Sequence, residues 1–489
     1  MAPRLTLTYG LRWDIDFTPT SLSGPPLAAV TNFNANDLST LALAAAGTPI
    51  FKTKYRNFAP RFGIAYMLRQ KQEWETVLRG GAGVYYDLAT THVGDALQFG
   101  DYPFGVNVNL CSFCPAGPAP SFPFDPAAVQ PPQVSLATLP FSSFVGFDPH
   151  LQAPHIYQWN LALEQSLGSK QALSASYIGA IGRRLLQEEE SFLGVNPSIG
   201  LPQLVLNGAT SDYHALQLQF QRRMSRGFQA LASYTYSHSL DTASSGSTGL
   251  FGGSPNIFIT GENPNLNRGS SDFDIRHTFS TALAYAIPVP VNSGSILRAI
   301  AGGWSVNNIF QARGATPVGV YDTSVFAPNG SLAGVRPDLT GQPTYVTQCA
   351  NPIGGSPAQI PCPGGRGLNP NAFVDPPVDP NTGSAVRQGN LGRNAVRGLG
   401  AWQWDFAVRR EFQLHDTWRL QFRSELFNIL NHPNFANPVA DLSGSLGTFG
   451  VSPSMLAGGL SPEPGGGGFA QIFQLGGPRS IQFALKLTF

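Results

Sequence analysis

The sequence predicts an all-β fold: an antiparallel transmembrane β-barrel, partial, of about twelve strands, with long loops at one end and short turns at the other. Three observations predict it. The chain ends on an unbroken alternation, in which Ile481, Phe483, Leu485, Leu487 and Phe489 fall on one side of a strand and Ser480, Gln482, Ala484, Lys486 and Thr488 on the other. Similar period-2 segments recur along the whole chain, most of them near the roughly 9–11 residues that a tilted strand needs to cross a bilayer. The connections between them alternate in length, long then short, and a soluble sandwich has no physical reason to sort its loops in that way.

The segments follow in order. Residues 4–13 set Leu5, Leu7, Tyr9, Leu11 and Trp13 opposite polar neighbours. Residues 61–68 offer Phe62, Ile64, Tyr66 and Leu68, and 76–87 offer Leu78, Ala82, Val84 and Tyr86. Next come 156–167 (Tyr157, Trp159, Leu161, Leu163), 171–181 (Leu173, Ala175, Tyr177, Ile181) and 213–223 (Leu216, Leu218, Phe220). Residues 227–239 and 276–287 continue with Ala232, Tyr234 and Tyr236, then Phe279, Leu283 and Tyr285. The pattern is weakest over 302–312, where Trp304, Val306 and Phe310 carry it. Residues 402–412 and 417–428 restore it before the terminal strand, with Trp402, Trp404, Phe406 and Val408, then Trp418, Leu420, Phe422 and Leu426. Long connections are expected at 14–60, 88–155, 182–212, 240–275, 313–401 and 429–479, and short ones at 69–75, 168–170, 224–226, 288–301 and 413–416. Rings near strand ends at both rims are expected to form two interfacial girdles.

Composition agrees. Of 489 residues, 54 are Gly and 41 Pro, which favours turns and loops over helices. No apolar run approaches the roughly 18 residues of a membrane-spanning helix, so any crossing must use strands. Aromatic content of 11% beside charged content of 12% suits strands that face lipid on one side. A net charge of +1 gives no sign of a nucleic-acid partner. The cysteines form two local pairs, Cys111/Cys114 and Cys349/Cys362; loop disulfides are expected, with a metal site or free thiols as the alternative. The first ten residues lack a basic stretch followed by an apolar core, so no export signal is read there.

Opposite the apolar sets lie Arg12, Arg79, Asp405, Arg419, Arg423 and Glu425. They are candidates to line a solute path, although structural salt bridges of a polar lumen or contacts to a plug account for them at least as well and are the favoured reading. Asp272, Asp274, Arg276 and His277 gather where a long loop enters a strand, as an ion pair fixing the loop or as cation ligands. Gly80, Gly81 and Gly83 lie inside a strand, which argues against a phosphate-cradling loop. The histidines match no protease or triad pattern, so no enzyme and no cofactor is expected.

Several longer stretches resemble the carboxyl-terminal barrel of Oar-like TonB-dependent receptors. They are RNFAPRFGIAY at 56–66, LRGGAGVYYD at 78–87, YQWNL at 157–161, YHALQ at 213–217 and ASYTYSHS at 232–239, then SDFDIRH at 271–277, GNLGRN at 389–394, QFRSELFNILNHPNF at 421–435 and the terminal strand. The resemblance implies an outer-membrane barrel that imports an unidentified solute, is inserted by the barrel assembly machinery and contacts outer-membrane lipid. The family barrel has roughly 22 strands around a plugged lumen. Twelve segments without a plug or energy-coupling box imply a truncated form, with TonB engaged only through an amino-terminal region missing here. A structural or adhesive surface protein is the competing expectation, and a secreted soluble β-protein a third.

Overall fold

The computed structural model describes residues 4–88, 144–190, 202–244, 264–288, 300–328, 334–350, 359–415, 417–443, 448–456 and 477–489, with isolated residues between them. Twelve long strands run in chain order: β1 (Leu5–Asp16), β2 (Lys54–Arg69), β3 (Thr76–Tyr86), β4 (His155–Ser166), β5 (Gln171–Glu190) and β6 (Pro202–Ser225). They continue as β7 (Phe228–Asp241), β8 (His277–Ala286), β9 (Trp304–Arg313), β10 (Ala401–Gln413), β11 (Arg419–Phe427) and β12 (Ser480–Thr488). Each pairs antiparallel with the next, so the chain forms one continuous meander. Among the described residues no pairing joins β1 to β12, and both are edge strands.

Register aligns the alternating side chains of neighbouring strands on common faces. One apolar row passes from Leu5 through Tyr66, Leu78, Leu163, Ala175, Leu218 and Tyr234 to Phe279. A second passes from Val306 through Val408 and Ser424 to Phe483. The large side chains of these rows are exposed or half-exposed, Phe483 at 68% and Leu163 at 44%, and among the described residues no second layer packs over them. An uncovered apolar band across a whole sheet is the surface of a protein dissolved in lipid. Polar atoms stranded on that face find partners within it. Trp404 Nε1 donates to Asn308 Oδ1 at 3.1 Å, while the hydroxyls of Tyr177 and Tyr234 meet Nδ1 of His214 and His277 at 2.8 Å. Asn308 is the residue that weakens the β9 pattern, and Trp404 of the adjacent β10 accommodates it.

At the short-turn end, β6 and β7 are joined by Arg226 and Gly227 with φ of 52° and 77°. That backbone matches the type I′ turn, whose twist suits a two-residue hairpin. A Cβ at Gly227 would lie 2.6 Å from the Ala286 carbonyl oxygen, so neither the φ nor the space admits a larger residue.

The long-loop end departs from expectation. β5 and β6 run well past the apolar alternation, so the loop between them shrinks from the expected 182–212 to 191–201. A short strand, Phe144–Phe147, adds in parallel to the start of β6. The loops are packed rather than open. Ala29, Ile50, Phe51, Val145, Phe147, Leu151 and Val205 form one core, and Val30, Leu38, Leu41, Ile199 and Leu204 another beside it. Val318, Val320, Leu368, Phe373, Leu391, Val396 and Phe449 form a third core within the loops after β9 and β11.

Candidate functional site: the polar face and the loop base

The six candidate polar residues all lie on the face opposite the apolar rows. Arg12 Nε donates to Asp14 Oδ1 at 2.6 Å, and Arg79 Nε to Glu164 Oε1 at 3.0 Å. Arg419 pairs with Glu411 at 3.3 Å, and Arg423 pairs with Glu425. Asp405 accepts from Gln403 Nε2 and from the backbone N–H of Asn428, each at 2.8 Å. Each candidate therefore has a protein partner, and the pairs are spread around the sheet instead of converging on one point. Arg409 stands directly across from Arg423, so the face near the short-turn end carries a like-charge pair beside Glu425 and Glu411.

Sequence reading missed a groove of about 700 Å³ on this face between β1 and β6. Its floor is made by small residues: a Cβ at Gly63 would meet Thr8 Oγ1 at 2.5 Å, and one at Gly81 would meet Asn160 Oδ1 at 3.0 Å. Its walls carry Gln158, Asn160, Tyr213 and the Arg61 guanidinium, which lies 4.4 Å from the centroid of the Tyr85 ring. Amide groups, one cation and phenols over a glycine floor can hydrogen-bond and stack with a polar solute. The glycines of β3 were the available signal.

The Asp272–His277 cluster is an ion-pair hub. Asp274 has a fully buried side chain and accepts from Arg397 at 2.5 Å, Arg276 at 3.0 Å, His238 at 3.2 Å and the Ser239 N–H at 2.8 Å. Nearby, Arg393 contacts Asp241 Oδ1 at 2.5 Å and donates to the carbonyls of Asp241 and Asn267 at 2.9 and 3.2 Å. Asn394 Nδ2 holds Asp272 at 2.7 Å. His277 does not join the hub; its ring turns to Tyr234 on the apolar face. Among the described residues no group of three or more acidic, His or Cys side chains is placed to hold a metal ion. The cluster ties the loop after β9 to the ends of β7 and β8.

Burial by itself pushes the Asp274 carboxyl up, but the Arg397 guanidinium, the Ser239 N–H and His238 outweigh it and bring it down to about 2. Folding thus favours the carboxylate relative to its ordinary value of 3.8. The stabilisation is present above about pH 4 and is lost as the pH falls through about 2, a loss of about 2 kcal/mol. Acid titration followed by hydrogen exchange at residues 387–400 should show the loop base opening in that window. Asp274→Asn should remove the pH dependence.

Cys349 and Cys362 form a disulfide with a Cα–Cα distance of 4.9 Å, and both are buried beside Val451. The other expected pair, Cys111 and Cys114, lies outside the described residues. In the terminal strand, Ile481, Phe483, Leu485, Leu487 and Phe489 share the apolar face and are all exposed. Rings collect at the short-turn rim too, with Trp418 against Phe489 at 6.3 Å and Phe228 against Tyr285 at 6.4 Å.

No curated protein matches the sequence. Solved structures of similar fold include the outer membrane transporter YddB from Escherichia coli, at 10% identity and a TM-score of 0.43, covering 88% of this chain and 41% of that one. Others are a mutant of the ferric enterobactin receptor PfeA from Pseudomonas aeruginosa (11%, TM-score 0.42, 100% and 43%) and the FrpB iron transporter from Neisseria meningitidis (11%, TM-score 0.40, 99% and 43%). The chain spans less than half the length of these proteins. Residues 1–482 match the family described as an outer membrane beta barrel domain. With its lipid-facing rows, its packed long loops at one end and its short turns at the other, the chain belongs to that outer-membrane β-barrel family.

Proposed function

We propose that this chain forms the greater part of the wall of a TonB-dependent-type receptor, which takes up a polar solute across the outer membrane. The observation that carries this reading is the polar face, with its glycine-floored groove below a folded extracellular mouth. Among the described residues β1 and β12 each pair on one side only, and lipid offers no partner to the backbone donors and acceptors on the other. Further strands therefore flank them in the working protein, together with a plug and an amino-terminal TonB contact. The chain performs no catalysis in this reading.

Fractionation and uptake test it in two steps. The protein should fractionate with the outer membrane and shift its electrophoretic mobility on heating, as a folded barrel does; recovery as a soluble periplasmic protein would end the barrel assignment for the cell. Solute accumulation should then fall in a strain without TonB. Uptake of every candidate solute that is indifferent to both TonB and the protein would leave the second reading, a surface protein acting through its loops. The compact lobe locked by Cys349–Cys362 is the feature that favours that alternative.

A further inference from the structure

The salt bridges of the polar face leave one stretch of it unmatched, the groove between β1 and β6. Two adjacent rows of the register build that groove. One runs from Gly10 and Arg61 through Gly83 and Gln158 to Tyr213, and the next from Thr8 through Gly63 and Gly81 to Asn160. No Asp or Glu lines it. Arg12, Arg79, Arg419 and Arg423 each meet a carboxylate, whereas exposed Arg61 meets none among the described residues. The Tyr85 ring, 4.4 Å from the guanidinium, covers one of its faces. The amides of Gln158 and Asn160 are exposed, and neither they nor the Tyr213 hydroxyl hydrogen-bonds to a described residue. Open donors and acceptors therefore surround a single open cation, over a floor of glycines that lets a flat molecule approach the backbone.

The geometry points to a site for an acidic saccharide: Arg61 holds the carboxylate of a sugar acid, and Gln158 and Asn160 hold its ring hydroxyls. A guanidinium edge meets a carboxylate with two parallel hydrogen bonds. A side-chain amide both donates and accepts, as a sugar hydroxyl does, so two amides suit neighbouring hydroxyls. Tyr213 presents an apolar ring with a polar tip to the C–H face of a further sugar. From β2 to β6 is four strand spacings, about 19 Å, which admits more than one sugar ring. An extended peptide binds by adding to an open strand edge. β2 to β5 are paired on both sides, so an acidic peptide finds no backbone partner here. The assignment names the solute class of the uptake reading, and rests on that reading only in making the bound saccharide the cargo.

Calorimetric titration of the full chain in nanodiscs tests it, with disaccharides of galacturonate, glucuronate and mannuronate, their methyl esters, maltose and triglutamate. At least one acid disaccharide should bind, and its methyl ester and maltose should bind about tenfold more weakly. Arg61→Gln should cost the acid the same factor and leave the ester unchanged. A Cβ at Gly10 meets nothing within 4 Å, so Gly10→Leu should fill the groove without disturbing the sheet and abolish binding. Triglutamate binding as tightly as the acid disaccharide would mean a site for acidic peptides and overturn the assignment. Undiminished acid binding in Arg61→Gln, folded by its heat-dependent mobility, would also overturn it. So would the lack of binding by any acid disaccharide to the unmutated chain, a result that needs no variant to fold. Binding with accumulation indifferent to TonB would sink the uptake reading and leave the site; TonB-dependent uptake without this binding would sink the site alone.

Discussion

Arg393→Met is expected to cost about 3–5 kcal/mol and to release the loop after β9 from the barrel mouth. The guanidinium is 2% exposed and the Asp241 carboxylate it meets is 4% exposed, so the substitution leaves an anion in a dry site with its principal cation removed. Three further acceptors lose a donor at the same time: the carbonyls of Asp241 and Asn267, and Ser244 Oγ at 2.7 Å. Breaking one half of a buried pair is far costlier than never having built it, because desolvation of the remaining charge goes uncompensated. Hydrogen exchange at residues 387–400 and protease cleavage after Arg387 or Arg397 should both rise sharply, while the heat-dependent mobility of the barrel is retained. A double variant with Asp241→Leu should recover much of the loss. Equal protection in Arg393→Met and the unmutated chain would show that the loop is held by its apolar core alone.

A second pair of variants separates the two faces of β6. Leu218 sits mid-strand on the lipid side between Ala175 and Tyr234, and its neighbour Gln219 on the polar side between Ser174 and Ser233. Leu218→Arg should destabilise the barrel by about 2–4 kcal/mol, the cost of a cation at the centre of the lipid band. Gln219→Arg should cost under about 1 kcal/mol, since the polar face already holds Arg79 and Arg423. Urea unfolding in lipid vesicles measures both. A reversed order would show that the faces are assigned the wrong way round.

The membrane-spanning part was legible because lipid enforces a strict rule on one face. All twelve strands occur where alternation of large apolar residues places them, including β9, whose weak pattern comes from Asn308. Where lipid ends the rule ends with it. β5 continues through Arg183, Arg184 and the run Gln187–Glu190, and β6 begins at Pro202, with Leu204 and Val205 buried under loops. Nothing in a charged run reports that a strand persists when it is supported by packing from distant segments such as 144–147. The hub shows the same division. Asp274 with Arg276 was visible as a local cluster, whereas Arg393 and Arg397 arrive from more than a hundred residues away. The groove depends on which strands glycines neighbour in the sheet, a relation set by register and not by local spacing.

The two free borders of the sheet have a consequence for how this protein can be handled. Among the described residues β12 and β1 each pair on one side only, so every second backbone group along β12, whose nine residues are all exposed, can accept another strand, and β1 presents the matching row. Antiparallel addition of one chain's β12 to another's β1 keeps lipid rows beside lipid rows, so each addition regenerates the border it consumes. Expressed without strands to terminate it, the sheet is a monomer for polymerisation, and its yield as a discrete particle should fall as its concentration rises.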